Sequence, residues 1–183
     1  MEALRNGAEN AISVLDALEL DGCLRQAARV FAEVVTATTV DELHKHYSEL
    51  FVGRRDCRLD ESEYDKSIFN RYQRLADVAG FYRAFGFHVS KESGQRADFI
   101  GTELEFMQVL LLKRVYAEEH GWTTETQTCV SAENTFIREH LEWWVTSICE
   151  GLREDKTCAF YTSLSNFLDH FVRTEALRCL QPT

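Results

Sequence analysis

Proline is all but missing from this chain: the single one, Pro182, stands next to the C-terminus. Proline removes a backbone donor and clashes with the preceding turn, so its absence lets long helices run unbroken. Glycine is scarce too, nine in 183 residues, and most stand where a helix can end. Basic residues are outnumbered: 20 Lys and Arg face 30 Asp and Glu, a formal net charge of −10. A phosphate backbone wants a basic face, so this balance argues against nucleic acid as a partner and favours a basic protein segment. Acidity of this size also serves solubility alone. The longest apolar runs, such as Val109–Leu112, are far too short to span a bilayer, which argues against stable membrane insertion.

Motifs that carry chemistry are missing as well. The six cysteines, Cys23, Cys57, Cys129, Cys149, Cys158 and Cys179, include no Cys-x-x-Cys pair, so neither a zinc knuckle nor a thioredoxin-like site is indicated. Residues 1–10 are mixed polar and lack a secretory pattern, so the cysteines are expected to be reduced and mostly buried in a cytoplasmic protein. There is no G-x-G-x-x-G, no P-loop, no G-x-S-x-G and no His-Glu-x-x-His. No glutamate is followed three residues later by a histidine, which argues against a helical di-iron site. The six histidines are scattered, and His44 and His46 point to different sides of a helix. Neither an enzyme, a metal nor a cofactor is expected.

What the chain does have is helical periodicity. Its length fits one domain over 1–183, and 45% hydrophobic with 27% charged residues suits a folded core. Apolar stripes recur at Ile12, Leu15, Leu18, then at Leu24, Ala28, Phe31, Val35, and at Val40, Leu43, Tyr47, Leu50 with Thr39 or Asp41 as cap. Residues 53–66 lose the pattern and are expected to form a charged loop. Helical spacing resumes with Ile68, Tyr72, Leu75, Ala79 and Tyr82 and stops near Gly86, before a second polar stretch at 90–98. A strongly apolar helix over about 100–118, with Leu104, Met107, Leu111 and Val115 as spine, is expected to be central, with a Thr102/Glu105 capping box. Residues 121–131 are expected to be a Thr-rich loop. Helices over about 133–152 and 156–179 follow. The fold class is all-α, a single-domain bundle of about seven or more helices.

Several stretches resemble the TorD/DmsD/NarJ family of redox enzyme maturation chaperones. Tyr47-Ser-Glu-Leu50-Phe51-Val-Gly53 is similar to its Tyr-x-x-Leu-Phe-x-Gly, and Ser62-Glu63-Tyr64 to the Ser-x-Tyr element that follows. Phe81–Phe87 is similar to its Tyr-x-x-x-Gly-Phe helix ending. Asp98–Met107 is similar to Pro-Asp-His-Leu-x-x-Glu-Leu-x-Phe-Met, and Phe136–Trp144 to Phe-x-x-x-His-Leu-x-x-Trp. Phe160-Tyr161 is similar to an aromatic pair in the last helix. The resemblance runs in order from about 40 to 172. It departs where the family's proline and histidine are Ala97 and Phe99, so the role of that histidine does not carry over.

The resemblance implies a TorD-like fold and a cytoplasmic chaperone that is not an enzyme. Its partners would be an apo molybdoenzyme catalytic subunit and that subunit's twin-arginine leader peptide, held while cofactor is inserted and export is delayed. Such a chaperone would be a monomer or homodimer. The candidate leader-binding residues are Ser62, Tyr64, Asp98, Phe99, Glu103, His140 and Trp143. Each also has a structural reading. Asp98 suits a helix cap, Glu103 and Glu105 favour a helix dipole, Tyr64 can fold back onto the core, and His140 can be a bonded helix histidine. Tyr47 and Phe51 are expected in the core, and of two adjacent tryptophans only Trp144 is expected to be fully buried. Two other functions stand as alternatives: a helical adaptor for another protein, and a nucleotide hydrolase, which the resemblance raises because some family members have been suggested to bind GTP and which the missing phosphate loop disfavours.

Overall fold

The computed structural model describes residues 22–53, 57–154 and 158–180, with the isolated positions Asn6, Gly7 and Asn10. The stripe expected at Ile12, Leu15 and Leu18 lies outside them. Among the described residues there are seven α-helices: α1 Gly22–Ala37, α2 Val40–Tyr47, α3 Ile68–Ala84, α4 Ile100–Glu119, α5 Thr123–Phe136, α6 Glu142–Glu154 and α7 Ala159–Arg178. π-helical turns follow α2 (Ser48–Gly53) and join α5 to α6 (Ile137–Leu141), and short 3-10 turns occupy Glu61–Tyr64 and Lys91–Ser93. The only β pairing among the described residues is an isolated bridge, Asp60 with Phe99. The fold is all-α, as expected. Its contacts group into two compact units, one of Met1–Cys57 with Val145–Thr183 and one of Arg58–Trp144.

In the first unit α1 buries Leu24, Ala28, Ala32 and Val35, a three- and four-residue repeat. The Phe31 ring meets Phe160 edge-on at 5.6 Å and stacks on Phe167 at 5.8 Å, which joins α1 to α7. Thr39 caps α2 in a complete capping box with Glu42. Tyr47, expected in the core, is 45% exposed, and Leu50 turns inward instead. The π turn adds a residue at this point and rotates the inward face past Tyr47. Asp169 on α7 ties down α6, accepting from Thr146 at 3.3 Å and Arg153 at 3.2 Å.

In the second unit Phe106 of α4 is fully buried, with the rings of Tyr82, Phe87 and Phe136 at 4.8, 5.7 and 4.9 Å. The inward face of α4 is Glu103, Phe106, Met107, Leu110 and Ala117; of the expected spine Leu104, Met107, Leu111 and Val115, only Met107 is buried. Leu111, Leu112, Val115 and Tyr116 are exposed, so α4 is not buried all round. Even apolarity on every side hides which face turns inward; packing against α3 and α5 chooses it. On α3, Ile68 and Tyr72 are 71% and 73% exposed, and the buried side chains are Val78 and Tyr82. The first turns of α3 turn Arg71 and Arg74 toward the acidic segment before the helix, which leaves Ile68 and Tyr72 outside.

The expected loop at 121–131 is helix. Thr126 and Thr128 turn their hydroxyls back onto the carbonyls of Trp122 and Thr124, each at 2.9 Å, and so satisfy themselves within the helix. The inward stripe, Cys129, Ala132, Glu133 and Phe136, has helical spacing that a poor intrinsic helix propensity does not override.

Candidate functional site

The two irregular segments of the second unit meet at the start of α4. Glu61 N–H donates to the Asp98 carbonyl at 2.8 Å and Ile100 N–H to the Leu59 carbonyl at 2.9 Å, on either side of the Asp60–Phe99 bridge. Asp98 is fully buried, and its carboxylate accepts from Ser62 N–H at 3.1 Å. Arg96 forks onto the same carboxylate, Nε to Oδ1 at 2.9 Å and Nη2 to Oδ2 at 3.1 Å, and Nη2 also donates to Ser62 Oγ at 2.7 Å. Burial works against the Arg96 charge, but the Asp98 bonds outweigh it and hold the guanidinium pKa above its ordinary value. Glu63 lies 3.7 Å from the same guanidinium, and Asp60 is a third nearby carboxylate. Burial first, and then the Asp98 charge, raise the Asp60 pKa.

Asp98 therefore does not cap α4. Phe99 holds the N-cap position without a side-chain cap, because the Asp98 oxygens face back toward Ser62 and Arg96. The Thr102/Glu105 capping box does not form either: the helix already begins at Ile100, Thr102 is buried within it, and Glu105 is exposed beyond the first turn. The Phe99 ring covers Gly101 so closely that a Cβ there would stand 2.6 Å from its Cε1 atom.

Beside this junction a second buried carboxylate, Glu61, collects three donors. Trp143 Nε1 donates at 2.8 Å, His140 Nδ1 lies 3.1 Å from Oε2, and Arg74 Nη1 reaches Oε1 at 3.4 Å. Arg74 also stacks over the Trp143 ring at 3.9 Å and bonds Asp65 at 3.0 Å. Trp144 is fully buried, with its indole N–H on the His140 carbonyl, while Trp143 is half-buried. Tyr64 leans on Trp144 at 5.4 Å and donates to the Arg58 carbonyl at 2.9 Å.

Glu103 lies inside α4's buried face, and neither carboxyl oxygen accepts a hydrogen bond from a described residue. The Trp144 indole is near, but it is directed at His140. Burial, then the charges of Glu61 and Asp98, push the Glu103 pKa well above the ordinary carboxylate value.

The seven residues singled out from sequence all fall in the second unit. Ser62 and Asp98 bond each other directly, and His140 and Trp143 share Glu61. Tyr64 and Phe99 flank the junction, and Glu103 lies beneath it without direct access to solvent. Glu61, Arg74 and Arg96 organise the site and were not singled out. The available signal was position: Glu61 adjoins Ser62, and Arg96 stands two residues before Asp98. Among the described residues no group of three His, Cys, Asp or Glu is placed to hold a metal, and no helix is long and apolar enough to cross a membrane.

The profile of the family described as nitrate reductase delta subunit matches residues 18–150, most of the chain. A perchlorate reductase assembly chaperone protein of Dechloromonas aromatica (strain RCB) is 26% identical over 103 residues. That match takes in 56% of this chain and 45% of the relative, so the chain spans less than half of the relative's length.

Proposed function

Because the chain belongs to the nitrate reductase delta subunit family, the TorD and NarJ type, we propose that it is an assembly chaperone for a molybdenum-cofactor oxidoreductase. It acts in the cytoplasm, binds the apo catalytic subunit and its twin-arginine leader, and delays export until cofactor is in place. The observation that carries this reading is the family match over residues 18–150.

The acidic junction supports it. Asp98, Glu63 and Asp60 already surround a guanidinium, that of Arg96, whose side chain is 44% exposed. A leader arginine competes with Arg96 for these carboxylates. One charge-assisted arginine–carboxylate bond contributes roughly 1.5–3 kcal/mol. Micromolar binding needs about −8 kcal/mol in all, so one or two such bonds and an apolar anchor suffice.

Thermal unfolding with added leader peptide tests this. At about a hundred times Kd, a ligand of the native state adds about 2.7 kcal/mol of stability and raises Tm. A peptide with an arginine pair is expected to do so, and its lysine counterpart to do so less, because lysine lacks the fork. No shift at saturating peptide contradicts leader binding, and a shift with GTP alone favours a nucleotide-binding role.

A further inference from the structure

An open groove lies along α4 and α5, one of its walls formed by Phe85, whose ring stands 6.1 Å from that of Phe106. It encloses about 540 Å³ and is walled by Phe85, Val109, Leu112, Tyr116, Ala117 and Trp122. A second hollow of about 480 Å³ shares Phe85 and Thr128 with it and continues along α5 past Gln127, Ser131 and Thr135. The first is a trough with an apolar wall toward Trp122, and the second adjoins it at the shared residues and is lined by hydroxyls. Its apolar wall is open to solvent: Leu112 is 62%, Tyr116 53% and Trp122 47% exposed. Grouped exposure of large apolar side chains marks an interaction surface, unlike singly scattered ones.

The charges around the trough are arranged by helix geometry. Glu105, Val109, Leu112 and Tyr116 follow each other on one stripe of α4, so Glu105 heads the apolar row. Glu105 is exposed and neither hydrogen-bonded nor ion-paired among the described residues. Glu125 lines the other end, and the last turn of α4 carries Glu118 and Glu119 with no basic residue. A helix C-terminus favours cations; Glu118 is already paired with Arg114 at 3.6 Å, which leaves Glu119 and Glu125 as the other carboxylates at this end. Lys113 is the basic residue of the lining; its neighbour Arg114 is held by Glu133 at 2.7 Å.

The geometry points to this trough as the seat of the client leader's apolar segment, with the basic residues that precede that segment at Glu105 and the acidic junction. The inference rests on the leader-binding reading above and assigns that reading a place. Along α4, at about 1.5 Å per residue, Val109 lies roughly 16 Å beyond Asp98. About five extended residues cover that span. A leader whose apolar stretch begins shortly after its arginines reaches both.

Fluorescence anisotropy of a labelled synthetic peptide, an arginine pair followed by leucines and alanines, tests the assignment on the full chain. Leu112→Glu alters an exposed helix position and should weaken binding about tenfold or more, the effect of losing one buried leucine contact. Glu105→Gln should weaken the same peptide about threefold and leave a peptide with glutamines for arginines unchanged. Wild-type affinity in both variants overturns the assignment while leaving leader binding intact. Failure of the unaltered protein to bind the peptide overturns both. If Leu112→Glu instead converts a sedimenting dimer to monomer without changing peptide affinity, the trough is a contact between copies and the assignment is wrong.

Discussion

Two buried acids carry opposite duties at the residue scale. Glu61 is an ionic hub whose removal strands His140, Trp143 and Arg74 together. Glu61→Ala should cost about 3 kcal/mol, read as a lower urea midpoint, because uncompensated buried donors outweigh the methylenes removed. Glu103 is the reverse case, a carboxyl whose pKa is raised by burial and by the charges of Glu61 and Asp98. Its folded pKa is raised above the ordinary 4.5, so its contribution to stability is full below that value and is lost as pH rises toward the folded pKa. Glu103→Gln removes the titration. The Tm of the variant relative to wild type should therefore rise from about pH 5 to pH 8, and a constant difference would contradict this account. Ser62 and Asp98 were legible because a motif singled them out. Glu61 and Arg96 were not. In a charged run every residue looks solvated, and Glu61 is buried by partners 13 and 79 positions away in sequence.

At the scale of elements, existence was easier to read than facing. α1 shows its stripe plainly, and the Thr39 cap of α2 stands where expected. α4 was recognised as a helix, yet of its expected inward face only Met107 is buried, because apolar residues surround the helix; Glu103, a charged type, sits inside while Leu112 sits outside. α5 was missed because threonine is a weak helix former, although its hydroxyls bond backward and its inner stripe ends in Phe136. Phe136 is fully buried against Phe81, Tyr82, Phe106 and His140. Phe136→Ala should lower stability by about 3–5 kcal/mol in chemical denaturation, which a residue outside a helical core stripe would not do.

At the scale of the whole molecule, net charge, helical content and family point the same way. A chain of formal charge −10 attracts basic segments at long range, an attraction that salt weakens. In the proposed role the acidic junction and the apolar trough supply what charge alone lacks, carboxylates that accept the arginine fork and a surface for apolar side chains. Composition made the acid balance legible, but not the trough, because exposed leucines in a sequence look like core leucines until neighbours are placed. The most direct test of the central claim is affinity capture of the tagged protein from its native host, with mass spectrometry of what it retains. The account predicts a co-purifying oxidoreductase precursor of the molybdopterin class with its twin-arginine leader uncleaved. Capture of only unrelated proteins, from cells that express such an oxidoreductase, would contradict it.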